Sequence, residues 1–180
     1  MRIIGGTHKG RLIKPPVNLP IRPTTDFAKE GLFNILSHLI EIEGMQVCDL
    51  FAGTGSLSFE FRSRGAMRVV SVDDNIKCVS FIKSESVKLN LSSIFPLKMN
   101  VFSFLDQTKE KFNLIFADPP YDLMEIPLLH EKIFKNDLLV ADGILIIEHP
   151  KQVKMDQLTG FFDHRAYGNV NFSFFRKIIS

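Results

Sequence analysis

From Met45 onward the chain alternates between short unbroken apolar runs and longer stretches whose apolar residues recur every three or four positions. The first pattern reads as buried parallel strand and the second as amphipathic helix. It predicts strands over Met45–Phe51, Met67–Asp73, Phe95–Met99, Phe112–Ala117 and Gly143–Glu148. It predicts helices over Ser56–Arg64, Ile76–Leu89 and Ile126–Phe134, with a weaker one over Val153–Phe161. Two runs separated by Tyr167-Gly168, the second alternating from Asn171 to Ile179, predict a terminal antiparallel pair.

The residues before this repeat follow another pattern. Arg2–Ile4 and Arg11–Ile13 flank a glycine-bounded segment, as in a small hairpin. Pro15, Pro16 and Pro20 impose an extended loop as far as Arg22-Pro23-Thr24-Thr25. Thr25 or Asp26 then caps a helix carrying Phe27, Leu32, Phe33, Ile35, Leu36 and Leu39. The expectation is an α/β chain with a doubly wound, mostly parallel sheet. Residues 1–40 form a hairpin-and-helix extension and 41–180 the α/β body.

Composition narrows the class. With 180 residues, 45% hydrophobic and 23% charged, the chain can bury one sizeable core. A net charge of +2 conceals an asymmetry. Residues 1–30 hold six basic groups and two acids, a balance of +4, which leaves −2 for the rest. A basic arm fits contacts to phosphates, and an ordinary solvated surface fits the charge equally well. Cys48 and Cys78 fall in a strand and a helix, as buried free thiols of a reducing cytosol do. There is no apolar leader at the start and no run long enough to span a bilayer, so a cytoplasmic chain without membrane partners is expected. The histidines and cysteines have no ligand spacing, so no metal is expected. Nothing demands a dimer.

Candidate chemistry sits at strand ends, the ligand-binding edge of an open α/β sheet. Asp49-Leu50-Phe51-Ala52-Gly53-Thr54-Gly55-Ser56 closes the first strand. Gly53 and Gly55 permit a tight turn and close backbone approach to a ligand. The third glycine position of a dinucleotide loop holds Ser58, and Asp49 would repel a pyrophosphate while attracting an ammonium. S-adenosylmethionine has an ammonium, a sulfonium and no phosphate, so it suits the loop better. Asp73, with Asp74 beside it, ends the second strand at the spacing of an acid that accepts from ribose hydroxyls. Asn100 and Val101 follow the third strand, where Asn100 reaches toward the adenine amine.

Asp118-Pro119-Pro120-Tyr121 closes the fourth predicted strand. The prolines stiffen the turn, and their carbonyls with the Asp118 carboxylate can accept from an amine. Tyr121 offers a stacking face for a flipped base. Guanine presents N1–H and N2–H as parallel donors that a carboxylate matches, which favours guanine N2 over adenine N6. A DNA adenine-N6 enzyme and a protein-glutamine methyltransferase are the alternatives. Glu148-His149 ends another strand, with a structural or substrate-lining role favoured over that of a base.

These motifs resemble the RsmD family of bacterial methyltransferases, which act on guanine N2 in small-subunit ribosomal RNA. The resemblance also rests on Arg2-Ile3-Ile4-Gly5-Gly6, Gly10-Arg11, Arg22-Pro23-Thr24, Glu30 through Leu36, Glu148-His149 and Tyr167-Gly168. It implies a Rossmann-like S-adenosylmethionine-dependent methyltransferase fold, with a mostly parallel seven-stranded sheet and a reversed last strand. It implies 16S rRNA in the assembling 30S subunit as the partner. It places Gly53 and Gly55 at the methionine end of the cofactor, Asp73 at the ribose, Asn100 at the adenine, and Asp118, Pro119, Pro120 and Tyr121 at the target base; Asp49, Phe51, Asp74 and Val101 complete the candidate cofactor site. Arg2, Lys9, Arg11, Arg22, Thr24 and Lys29 are the candidates for RNA contact. Lys29 stands where the family usually has Arg, Asp73 where it has Glu, and Asn100 where Asp is common.

Overall fold

The computed structural model describes residues 1–17, 19, 26–123 and 125–177. Seven strands form one sheet in the order β3-β2-β1-β4-β5-β7-β6. They are β1 (Gln46–Leu50), β2 (Arg68–Asp73), β3 (Ile94–Lys98), β4 (Phe112–Ala117), β5 (Leu139–His149), β6 (Phe161–Tyr167) and β7 (Val170–Arg176). β1 to β5 are mutually parallel, and β7 lies between β5 and β6 antiparallel to both. The last strand is therefore the reversed one. The helices are α1 (Asp26–Leu39), α2 (Ser56–Ser63), α3 (Ile76–Lys88), α4 (Val101–Gln107) and α5 (Ile126–Lys135).

Alternation along the strands feeds two cores. Val47, Val69, Leu114, Phe116 and Ile146 face one side, where Leu32 and Leu36 of α1, Phe59 and Phe61 of α2 and Ile82 of α3 cover them. Cys48, Val70, Val72, Ile115 and Ile147 face the other, under Phe104 and Leu105 of α4 and Leu129 and Ile133 of α5. The strand order reverses direction between β1 and β4, so the helices change face there and a crevice opens at the carboxyl ends of those strands.

The hairpin forms around an isolated antiparallel bridge between Arg2 and Leu12, with a 3-10 turn at Gly6–His8. Its Ile3 and Ile13 are buried in the same core as Leu32, Leu36 and Phe61, so this extension packs on the sheet's own helical layer. Tyr167 lies flat on α1 at Gly31 and donates its hydroxyl to the Gly31 carbonyl at 3.2 Å. A Cβ at position 31 would stand 2.4 Å from the Tyr167 ring, so the close approach requires glycine.

One expectation fails and one element was missed. Residues 153–161 form turns that bury Met155 and run into β6, with no helix. The helix α4 was not foreseen. Only seven residues long, it follows directly on β3, so its apolar positions make too short a pattern to read. The extended loop through Pro20 and Thr25, with the end of the alternating run past Lys177, lies outside the described residues.

Candidate active site

Asp49, Asp73, Asp118 and Glu148 all stand at the carboxyl edge of the sheet. The turn after β1 winds through left-handed backbone at Phe51 (φ 60°), Gly53 (φ 53°) and Gly55 (φ 73°). Glycine adopts this region freely, whereas Phe51 does so at a cost that surrounding contacts must offset. The Asp73 carboxylate secures the turn. One oxygen accepts the Gly53 N–H at 2.8 Å, and the other accepts the Asn75 N–H at 2.9 Å. Asp73 thus links the glycine turn to the start of α3.

A cavity of about 680 Å³ opens at this edge. Asp49, Phe51, Gly53, Asp73, Asp74 and Asn100 line it, and so do Asp118, Pro119, Pro120 and Tyr121. The two strand-end motifs therefore share one space. Gly55 and Val101 do not line it. Gly55 is the residue before α2, where an added Cβ would meet Ile82 at 2.8 Å, and Val101 is buried at the start of α4. Among the described residues no lysine or arginine lines the cavity, and five carboxylates do: Asp49, Asp73, Asp74, Asp118 and Glu148.

Asp49 lies at the floor, buried, and accepts the hydroxyl of Ser58. Ser58 also shares a hydrogen bond with Ser71 on β2 at 2.7 Å. Burial pushes the Asp49 carboxyl up to about 7, against the opposing effect of the Ser58 bonds. Ser58, which in sequence marks only a missing glycine, is the partner of this carboxylate. Asn100 caps α4, its carbonyl oxygen accepting the Ser103 N–H at 3.1 Å. That bond fixes the side chain at the helix start, and the oxygen's second acceptor position and the amide N–H groups remain to meet a ligand. Cys78 also faces the cavity, and burial pushes its thiol up to about 11, so it stays protonated at neutral pH.

In the second motif, the Asp118 N–H continues the β1–β4 ladder to the Leu50 carbonyl at 3.3 Å. The Pro120 carbonyl accepts the Leu123 N–H at 2.9 Å, which commits it to the turn. Tyr121 is 37% exposed and donates its hydroxyl to Glu148 at 2.9 Å. His149 points away, bonded through Nε2 to the Ser173 hydroxyl at 2.7 Å and through Nδ1 to the Pro150 carbonyl at 3.0 Å.

The family model described as Conserved hypothetical protein 95 matches residues 1–176. Ribosomal RNA small subunit methyltransferase D of Escherichia coli strain K12 is 36% identical over 153 residues, covering 82% of this chain and 74% of that one. The chain belongs to the RsmD family. The solved structure of the Escherichia coli protein yhhF superimposes with a TM-score of 0.87 at 26% identity, covering 100% of this chain and 99% of that one. The fold also matches a Thermus thermophilus 16S rRNA N2 G1207 methyltransferase, RsmC, in complex with AdoMet and guanosine. That match has a TM-score of 0.69 at 20% identity, over 86% of this chain and 44% of that one. The Rossmann-like methyltransferase fold expected from sequence is the fold observed.

Around the RsmD-family cavity the basic candidates scatter. The Arg2 carbonyl accepts from Lys29 Nζ at 2.5 Å, and that same nitrogen is 3.3 Å from the hydroxyl of Ser56, which lines the cavity. Further down α2, the Ile4 N–H reaches Glu60 at 2.8 Å, and Ser63 donates to the Gly5 carbonyl at 2.6 Å. The hairpin therefore runs along α2 from the cavity edge toward the opposite edge of the sheet. Arg2 stands near the mouth, and exposed Lys9 belongs to the far end. Arg11 is exposed between them, and Arg22 and Thr24 lie outside the described residues.

Lys29 corrects an expectation. It is 1% exposed and its ammonium lies 3.9 Å from the carboxylate of Glu60, itself 0% exposed. Burial holds its pKa below the usual lysine value, partly offset by Glu60 and Asp26. A cation so enclosed cannot meet an RNA phosphate, and its work is to bind the arm to α1 and α2. Other lining residues were missed. Thr54 within the glycine turn and Ser56 and Leu57 just after it were legible from that motif, whereas Val170 arrives through the β6–β7 turn and has no local signal.

Proposed function

We propose that the chain transfers a methyl group from S-adenosylmethionine to the exocyclic N2 of a guanine in bacterial 16S rRNA, acting as a cytoplasmic monomer on the assembling small subunit. The observation that carries this reading is the shared, acidic cavity without basic lining among the described residues. Five carboxylates disfavour a pyrophosphate and favour a ligand bearing an ammonium and a sulfonium. A volume of about 680 Å³ is within the range of small-molecule sites. The relative named for small-subunit ribosomal RNA supports the substrate class.

In this reading Asp49 and the glycine turn hold the methionine end, Asp73 and Asp74 the ribose, and Asn100 donates to the adenine ring. When bound, S-adenosylmethionine supplies an electrophilic methyl on its sulfonium. Tyr121 stacks on the flipped guanine, and the Asp118 carboxylate and Pro119 carbonyl accept from its amine. Acceptors off the ring plane favour the pyramidal nitrogen that attacks, an interaction stronger in the transition state than in the ground state. The amine lone pair would form the N–C bond as the S–C bond broke, with S-adenosylhomocysteine as the leaving group, and Asp118 or water would take the surplus nitrogen proton. A strong base is not required.

The test is methyl transfer by the purified chain to small-subunit particles from cells lacking it, followed by mapping of the methylated base. One N2-methylguanine is expected in 16S rRNA. Labelling of duplex DNA or of protein, with the particles unmodified, would overturn the reading.

A further inference from the structure

Resting on that reading, we infer that Glu148 is a second base-reading carboxylate, which accepts the guanine N1–H and leaves Asp118 to the amine. Parallel register pairs Ala117 of β4 with Ile147 of β5, so Asp118 and Glu148 are the next residues of adjacent strands. Both line the same cavity. Guanine presents N1–H and the N2 amine side by side on its Watson–Crick edge, the edge by which unstacked bases are read. Two carboxylates at neighbouring strand ends match two neighbouring donors. Adenine and 2-aminopurine carry a bare lone pair at N1, which would face the carboxylate and be repelled.

The setting of Glu148 suits a reader better than a solvated acid. It is 5% exposed, and a carboxylate at that depth is stabilised by donors aimed at it. The Tyr121 hydroxyl supplies one to Oε1 at 2.9 Å. A carboxylate has about four acceptor positions, so this bond fixes its orientation without exhausting its capacity. The same bond joins the reader to the stacking ring. A base seated on Tyr121 is thereby registered against Glu148.

The experiment compares guanine with 2-aminopurine at the methylated position of 16S rRNA, in reconstituted small-subunit particles, for the parent, E148Q and E148A. 2-Aminopurine keeps the reacting amine and loses N1–H. The parent should prefer guanine by at least 10-fold in kcat/KM. Both variants should lower that preference by roughly 10- to 100-fold, the worth of one hydrogen bond to a charged group. E148Q should also handle 2-aminopurine better than the parent does, because its amide can donate to the bare N1. If Glu148 only supports Tyr121, both substrates fall together and the ratio stays within two-fold of the parent's, which overturns the inference. A parent ratio near one overturns it without any variant, so the test survives a variant that fails to fold. A parent that methylates neither base is a separate outcome, which removes the proposed function and this inference with it.

Discussion

Ser58 donates its hydroxyl to Asp49 at the floor of the cavity, and the bond replaces water for a carboxylate that burial holds near neutrality. With Asp49 at the cofactor's ammonium, as proposed, the raised value of about 7 predicts a pH window for binding: above it the charged carboxylate would attract the ammonium, and below it the attraction would be lost. Affinity for S-adenosylmethionine, measured by calorimetry, should weaken by about tenfold between pH 7.5 and pH 5.5. Asp49→Asn should bind more weakly throughout and flatten that dependence. An equal slope in both proteins would exclude Asp49 as its source. The ligand-free protein follows the opposite sense. A folded pKa raised from 3.8 gives a contribution to stability that is full below 3.8 and lost as the pH rises to about 7. Asp49→Asn should therefore gain thermal stability over the parent as the pH rises through that range.

Asp118→Ala should separate binding from transfer. The proposed cofactor contacts lie on β1, β2 and the loop before α4, so affinity for S-adenosylmethionine should change less than two-fold. Methyl transfer should fall by roughly 10²- to 10³-fold, as when a preorganised transition-state contact is removed. Full transfer in this variant would exclude the amine clamp.

Lys29→Met tests the buried pair. Glu60 keeps the Arg64 guanidinium at 2.8 Å and the Ile4 N–H at 2.8 Å but loses its buried cation. Breaking such a pair costs about 3 kcal/mol, which for a chain of this size lowers the melting temperature by roughly 6–12 °C. The salt dependence of RNA binding should not change. Neutralising Arg2 and Arg11 should do the reverse, lowering the slope by about one for each phosphate no longer neutralised, with little effect on melting. A shallower slope for Lys29→Met would return that residue to the RNA surface.

Gly55→Ala should be disproportionately harmful for a one-carbon change. The position has φ 73°, and the added Cβ would stand 2.8 Å from Ile82 Cγ1. Strain of this type costs about 1–3 kcal/mol. Because the residue closes the glycine turn and directly precedes α2, cofactor affinity should fall with stability, as thermal shift with and without S-adenosylmethionine would reveal.

What the sequence by itself determined was the βα repeat, the edge at which the chemistry gathers and the motifs that occupy it. These are local properties. An apolar run, a glycine turn or a proline pair has its effect wherever the chain folds, and strand ends on one side of a parallel sheet meet by topology. Tertiary structure decided the roles that depend on distant partners. Glu60 and the Arg2 carbonyl turned Lys29 from a surface cation into a buried strut, and Ser71 with Asp49 gave Ser58 its purpose. α4 made Asn100 a helix cap, and Glu148 fixed the hydroxyl of Tyr121. Apart from Asn100, whose partner Ser103 is three residues on, each of these side chains answers to groups distant in sequence, and burial, which sets the cost of a charge, does not exist until the layers close.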